Sequence, residues 1–289
     1  KHKRITGSFW FDKIAGYVHY PDNVKAGKYK IADNMSLYHL IKILRSGRQT
    51  PVNLVITKLR TKEDLAKKIA ANFEADSVAV ISFLNNDGAL RQFDVDTNTV
   101  MTDVIPNTYT YLWNTSIKDI FSKLNAEEKK FWNKERLEKA QRFQLTPKQI
   151  YILASIVEEE TNKADDKGKV ASVYINRLRR GMKLAADPTV KFAMKDFGLK
   201  RIYHKHLAFD SPYNTYLNSG LPPGPICTPS IKTIDAVLDA PDTDYLFFVA
   251  RSDFSGYSDF AATYQQHKLF AKAYQQALDS LIRSKQQNQ

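Results

Sequence analysis

"PKQIYILASIVEEET", residues 147–161, is the stretch on which the reading of this chain turns, because an apolar run ends there in three consecutive carboxylates, Glu158, Glu159 and Glu160. Taken as one helix at about 100° per residue with Ile150 at 0°, the positions Ile152, Leu153, Ala154, Ile156 and Val157 span an arc from about 200° through 0° to about 40°. On the same wheel Glu160 falls near ~280°, inside the arc, Glu158 near ~80°, at its edge, and Glu159 near ~180°, at the opposite edge. A regular helix therefore points Glu160 inward and leaves Glu159 the most exposed of the three. A carboxyl group held against apolar neighbours has its pKa raised, because desolvation disfavours the charged form, and becomes a general acid usable near neutral pH. The competing reading is a helix that stops at residue 158 and leaves all three glutamates in solvent.

Working outward, "KGKVASVYINRLRRGM" (167–182) reads as a second helix, with an apolar stripe of Val170, Val173, Tyr174 and Leu178 and a stop at Gly181. Its Arg177, Arg179 and Arg180 either face the glutamates or an anionic substrate, or form a solvated basic end. Upstream, "AGKYKIA" (26–32) and "PVNLVIT" (51–57) read as strands flanking a helix that Ser36 caps and Gly47 stops. "TKEDLAKKIAANF" (61–73) is a further amphipathic helix. "VIPNTYTYLWNTS" (104–116), rich in aromatics and turn formers, marks a boundary, followed by a charged helical stretch (117–142). Beyond residue 183 come loops and short strands, including "GLPPGPICTPS" (220–230) and "DYLFFVA" (244–250), then a closing helix (260–285) and a polar tail. The fold class this predicts is α+β: a small α/β N-terminal module within residues 1–105, then a larger mixed α+β domain over 106–289.

The chain has 289 residues, 43% of them hydrophobic, enough for one large core or two ordinary ones. Its formal net charge of +12 calls for an acidic partner: nucleic acid, anionic lipid or a carboxylate-bearing polymer. The basic residues are spread along the chain and form no nucleic-acid recognition motif, so no nucleic-acid partner is expected. The single cysteine, Cys227, excludes an internal disulfide and reads as a small packed residue rather than a nucleophile. His204 and His206 have no Cys or carboxylate cluster beside them, and no metal site is expected. No apolar run reaches the roughly 18 residues of a membrane helix. The start "KHKRIT" lacks a Met and suggests a trimmed chain, from which a signal or membrane anchor is missing.

The blocks "LASIVEEET", "KVASVYINRLRRGMKLAADPTV", "YNTYLNSGLPPGPICTPS", "YLFFVA" and "FAATYQQH" (260–267) together resemble, in order and spacing, the YceG-like, or MltG-type, endolytic murein transglycosylases of bacteria. "IPNTYTY" is similar to the first of that family's blocks. Residues 24–58 resemble its LysM-like module, expected to help hold glycan or to act as a spacer. The resemblance implies cleavage of the β-1,4 bond between N-acetylmuramic acid and N-acetylglucosamine of peptidoglycan strands, leaving 1,6-anhydro ends and needing no cofactor. It implies Glu160, followed by Thr161, as the acid, with Glu158 as second choice. Asn176, Asp187, Thr189, Tyr213, Asn214, Thr215 and Thr228 are candidates for gripping the sugars, the segment 213–215 as a wall of the groove. The resemblance also implies cell-wall synthesis proteins as partners and a place in the bacterial cell envelope, anchored to the inner membrane with the catalytic domain outside the cytoplasm. One departure is Ser258, where relatives often carry a His. A two-carboxylate glycoside hydrolase, with Asp187 or Asp210 beside Glu160, and a non-enzymatic glycan-binding scaffold remain the rival readings.

Overall fold

A computed structural model describes residues 8–287. The chain start "KHKRIT" and the last residues of the polar tail lie outside the described residues. In chain order the elements are α1 (Ser8–Tyr17), α2 (Leu37–Ser46), β1 (Val52–Val55), α3 (Lys62–Asn72), α4 (Ser77–Leu84), α5 (Asp87–Leu90) and β2 (Thr108–Tyr111). They continue with α6 (Ile117–Phe131), α7 (Lys134–Arg142), α8 (Pro147–Glu160), α9 (Ala164–Arg179), α10 (Asp187–Ala193) and α11 (His204–Leu207). The last are α12 (Ile231–Leu238), β3 (Phe247–Ala250), β4 (Ser258–Ala261) and α13 (Tyr264–Gln287). Helices with two small antiparallel sheets make this an α+β protein. No helix among the described residues is long and apolar enough to cross a membrane.

The chain forms two compact units. One draws on the chain up to Val55 together with Glu63–Phe83 and Thr108–Ser122. Its sheet pairs β1 with β2 antiparallel, Val52 opposite Tyr111 and Val55 opposite Thr108. The alternation of β1 puts Val52 and Leu54 inside, and Phe73 packs edge-on against Tyr111 at 5.6 Å. The expected strand over 26–32 does not form. Gly27 sits at φ 157°, and the segment is tied to the next one by single bonds, Thr50 N–H to the Lys28 carbonyl and Lys30 N–H to Thr50 Oγ1. The partner that β1 takes instead lies in the aromatic segment read as a boundary. That segment is a strand because Tyr109 and Tyr111 alternate inward.

The other unit comprises Ile56–Lys62, Leu84–Asn107 and Lys123–Gln289. Its centre is α8. Thr146 caps this helix in a reciprocal box with Gln149, and Pro147 occupies the first turn, where its missing N–H costs nothing. Every residue from Ile150 to Val157 is buried, so α8 is a core helix enclosed on all sides rather than an amphipathic one. Helices α7, α9, α10 and α12 pack around it. The stretch read as one charged helix over 117–142 is two, because α6 ends at Phe131 and Asn133 caps α7. Helix α12, capped by Ser230, was not anticipated. Its β-branched residues sit in a run of turn formers. β3 pairs with β4, and the closing helix starts at Tyr264, after β4, rather than at 260.

Polar side chains inside this core fasten its loops. Ser155 is buried on α8, donates to the Ile152 carbonyl and accepts the Ile226 N–H at 3.0 Å, so it pins the Pro-rich loop to the helix. Ser155→Ala leaves that N–H without an acceptor, and chemical denaturation is expected to show a loss of about 2 kcal/mol. A loss below 0.5 kcal/mol would mean the loop relaxes onto another acceptor.

Candidate active site

Three carboxylates leave the C-terminal turn of α8, and Thr161, extended at φ −145°, ψ 140°, ends the helix directly after Glu160. This is the negative end of the helix dipole, where carboxylates are disfavoured, and each glutamate meets the problem differently.

Glu158 accepts hydrogen bonds from Lys167 Nζ at 3.0 Å, Ser230 Oγ at 3.1 Å and Thr233 Oγ1. Burial opposes its charge, yet Thr233, Lys167 and Ser230 together hold its pKa below the ordinary value. Its bonds join α8 to α9 and α12. Glu159, expected on the outer face, is instead largely covered, with 18% of its side chain exposed. It pairs with Lys58 Nζ at 2.5 Å and Arg60 at 3.2 Å. The wheel misplaced it because α8 has neighbours on every side.

Among the described residues, no cation is bonded to Glu160. The residue is half-buried, and the protein atoms around its carboxyl group push the pKa up to about 7. Tyr174 Oη donates to its Oε1 at 2.6 Å and partly offsets that rise. Asp187 raises the value further, while Lys191 and Arg177 lower it. Tyr174 is itself buried on α9, set edge-on to Phe248 at 6.0 Å. Burial and the Glu160 charge hold its phenol well above its ordinary pKa, so it stays a donor. With Oε1 receiving that bond, Oε2 is the oxygen free to carry the acid proton. Tyr216 Oη donates to Asp187 Oδ1 at 2.6 Å on the same side.

Of the other candidates, Asp187 is brought near enough to Glu160 to raise its pKa, and Tyr213 packs with its ring 4.8 Å from Phe192 and its hydroxyl close over Gly224. A Cβ on Gly224 would lie 2.1 Å from the Asn98 carbonyl oxygen, so only glycine lets the loop 220–225 approach that closely. Asn176 spends its amide on the Thr243 and Tyr245 carbonyls. Thr189 and Thr215 are buried and bonded to each other at 2.9 Å. Thr228 is buried and ties Thr57 and Leu59 to its own strand-like segment. Asn214 is fully buried, donates to the Leu207 and Phe209 carbonyls and accepts the Tyr216 N–H. These five side chains hold the walls in shape and have their polar atoms turned into the protein.

Arg177 also turns inward. It donates to the Leu246 carbonyl at 2.8 Å and to that of Leu184, while Arg179 and Arg180 are exposed. Asp210 is exposed, and the backbone N–H of Ser258 is held by Asp166 at 2.8 Å. Cys227 is buried and its thiol pKa is raised by burial, which makes it a poor nucleophile. His204 and His206 lie on one helical turn, and His206 Nδ1 accepts the Tyr203 N–H. No cluster of metal-ligating side chains occurs among the described residues. Sequence reasoning missed Tyr174 and Tyr216. The first read as one more apolar position in a stripe, and the second had no pattern to mark it.

Asn214→Ala leaves a fully buried side-chain site empty and takes the partner from two part-buried carbonyls and one N–H, and differential scanning fluorimetry is expected to show a fall in melting temperature equivalent to roughly 1–3 kcal/mol. An unchanged melting temperature would put the side chain in the groove after all.

The sequence profile of the YceG-like family matches residues 1–273. A Bacillus subtilis protein named endolytic murein transglycosylase is 31% identical over 269 residues, covering 86% of this chain and 73% of the relative. A Streptococcus pneumoniae protein of the same name is 28% identical over 272 residues, covering 83% of this chain and 49% of the relative, so the chain spans about half of that protein's length. The crystal structure of a YceG-like protein from Listeria monocytogenes superposes with a TM-score of 0.64 at 28% identity, over 89% of each chain. The chain belongs to the YceG-like family.

Proposed function

We propose that this chain is an endolytic lytic transglycosylase of peptidoglycan, acting in the cell envelope, with Glu160 as its single acid and base. The observation that carries the reading is the contrast among three adjacent glutamates: two are ion-paired, while Glu160 is held near pH 7 with one oxygen fixed by Tyr174. The relatives' names supply the substrate class.

Protonated Glu160 gives its proton to the glycosidic oxygen between N-acetylmuramic acid and N-acetylglucosamine, and the C1–O bond breaks toward an oxocarbenium-like state. The carboxylate left behind takes the proton of the muramoyl 6-hydroxyl, whose oxygen attacks C1 and closes a 1,6-anhydro ring. The proton returned to Glu160 resets it for the next cycle. A pKa near neutrality suits a residue that must both give and take the same proton. Asp187 lies near enough for its charge to be felt at Glu160, which keeps a hydrolase with two carboxylates as the second reading. Mass spectrometry of digested sacculi separates the two: anhydromuramoyl ends support transglycosylation, and reducing ends support hydrolysis.

Glu160→Gln removes the proton carrier and is expected to lower product formation by ~10²–10⁴-fold. Because the folded-state pKa of Glu160 is raised from 4.5 to about 7, its ionisation costs stability as pH rises through that window. The Gln variant is therefore expected to gain melting temperature over the parent at pH 8 and little at pH 5. Glu158→Gln breaks a mostly buried pair with Lys167 and is expected to cost about 3 kcal/mol of stability while the folded protein still turns over. An inactive but stable Glu158→Gln beside an active Glu160→Gln would assign the acid to Glu158.

The pH profile gives a separate check. The kcat/KM of the parent is expected to fall above about pH 7 as Glu160 loses its proton. The Tyr174 hydrogen bond lowers the Glu160 pKa, so Tyr174→Phe is expected to move that limb to higher pH. A limb that stays in place would exclude Glu160 as the group being titrated.

A further inference from the structure

Two buried carboxyls take no part in the chemistry proposed above. Asp103 closes the 3-10 turn Val100–Asp103, all four residues of which are buried. Glu128 lies on α6 and is 9% exposed. Between them stands Asn125, also buried, whose amide donates to Asp103 Oδ2 at 2.7 Å and to the Phe93 carbonyl at 3.2 Å. One face of α6 thus holds both ends of the strap 93–103. Glu128 follows Asn125 by three residues and shares that face, so the charge of Asp103 is felt at Glu128.

Among the described residues neither carboxyl is ion-paired. Lys148, the cation on α8, bonds Asp94 at 2.9 Å, and Lys129 on α6 is exposed. Two carboxylates in such a place each lose their water and each raise the energy of the other. Burial pushes Asp103 up to about 6 and Glu128 up to about 7, with the Asp103 charge adding to the rise at Glu128 and the Asp94 charge to that at Asp103. Asn125 at Asp103, Trp132 at Glu128, and Lys148 and Lys129 at both pull the other way without cancelling the rise.

The strap reaches beyond the pair. The Val104 carbonyl directly after it takes the Tyr151 hydroxyl of α8 at 2.7 Å. In its middle, the Asn98 carbonyl is the group against which Gly224 of the loop 220–225 packs.

We propose that Asp103 and Glu128 form a proton-operated latch: with a proton on the pair the strap 93–103 stays fastened to α6, and with both carboxyls ionised it loosens and withdraws its support from the loop 220–225. The latch does not depend on the transglycosylase reading. Both values are raised, so the folded protein keeps protons that the unfolded chain loses near its ordinary 3.8 and 4.5, and the strap weakens as pH rises from there through about 7.

Hydrogen exchange of the whole chain, read by mass spectrometry near pH 5.5 and near pH 8.5 and corrected for the intrinsic pH dependence of exchange, tests the latch. Protection of the amides of 93–104 is expected to fall at least about tenfold between the two conditions, the factor that one pKa unit carries, and protection of 220–228 to fall with it. Glu128→Gln keeps the shape without the charge and is expected to remove most of the fall. Asp103→Asn removes the like charge and is expected to move the midpoint to lower pH. Glu160 ionises in the same window, so Glu160→Gln is the control and is expected to leave the fall in place. Equal protection of 93–104 at both pH values, or an undiminished fall in Glu128→Gln, would overturn the latch. A fall that vanishes in Glu160→Gln would do the same by assigning it to that residue. Constant protection of 220–228 while the strap opens would break the link to the loop. Should Glu128→Gln not fold, Asp103→Asn decides, an unmoved midpoint counting against the pair.

Discussion

The structure is organised by a problem at the end of α8: three carboxylates at the negative pole of a helix that is buried from Ile150 to Val157. Desolvation and the helix dipole both oppose their charge there. Two are compensated by cations, Lys167 from the next helix to Glu158, and Lys58 with Arg60 from a distant part of the sequence to Glu159. The third receives a neutral donor, Tyr174, and the pKa of about 7 is what remains when a buried carboxyl has no cation bonded to it. The chemistry of the site is thus the uncompensated remainder of a packing arrangement.

Those compensations also place the surrounding elements. The clamp on Glu158 joins α9 and α12 to the end of α8, and Tyr174 lies on the same α9 that carries Lys167. The ion pairs of Glu159 draw in the segment 57–60, which Thr228 fastens to the Pro-rich loop from its other side. Ser155 holds the same loop to the middle of α8. Asn214, Thr215 and Thr189 stiffen the turn that presents Tyr216 and Asp187. Several polar residues that the sequence offers as sugar ligands also fasten these loops through their own hydrogen bonds. Loops cannot be buried without satisfying their backbone groups.

Much was nonetheless legible. The cap at Ser36, the stop at Gly47 and the helical run 147–160 follow from local propensity and capping, which depend on neighbours a few residues apart. Glu160 was singled out by helical spacing, and its pKa is raised in the structure, although the premise of the spacing, one apolar face, does not hold for a helix covered all round. Glu159 exposes that premise: the same wheel put it outside, and the structure puts it in two ion pairs. The strand expected at 26–32 alternates correctly but has no continuous partner, and β1 pairs instead with a segment more than 50 residues away.

By itself, then, the sequence determined what short-range physics can settle: helices with their caps, a core large enough to enclose one of them, a strongly basic surface, and a carboxyl-rich helix end that marks the site. Only the tertiary structure decided which partners each of the three adjacent glutamates receives. Ionisation is set by the net of desolvation, charges and hydrogen-bond donors within a few ångströms, and here these come from Lys58, Lys167, Tyr174, Asp187 and Lys191, residues that no local pattern brings together.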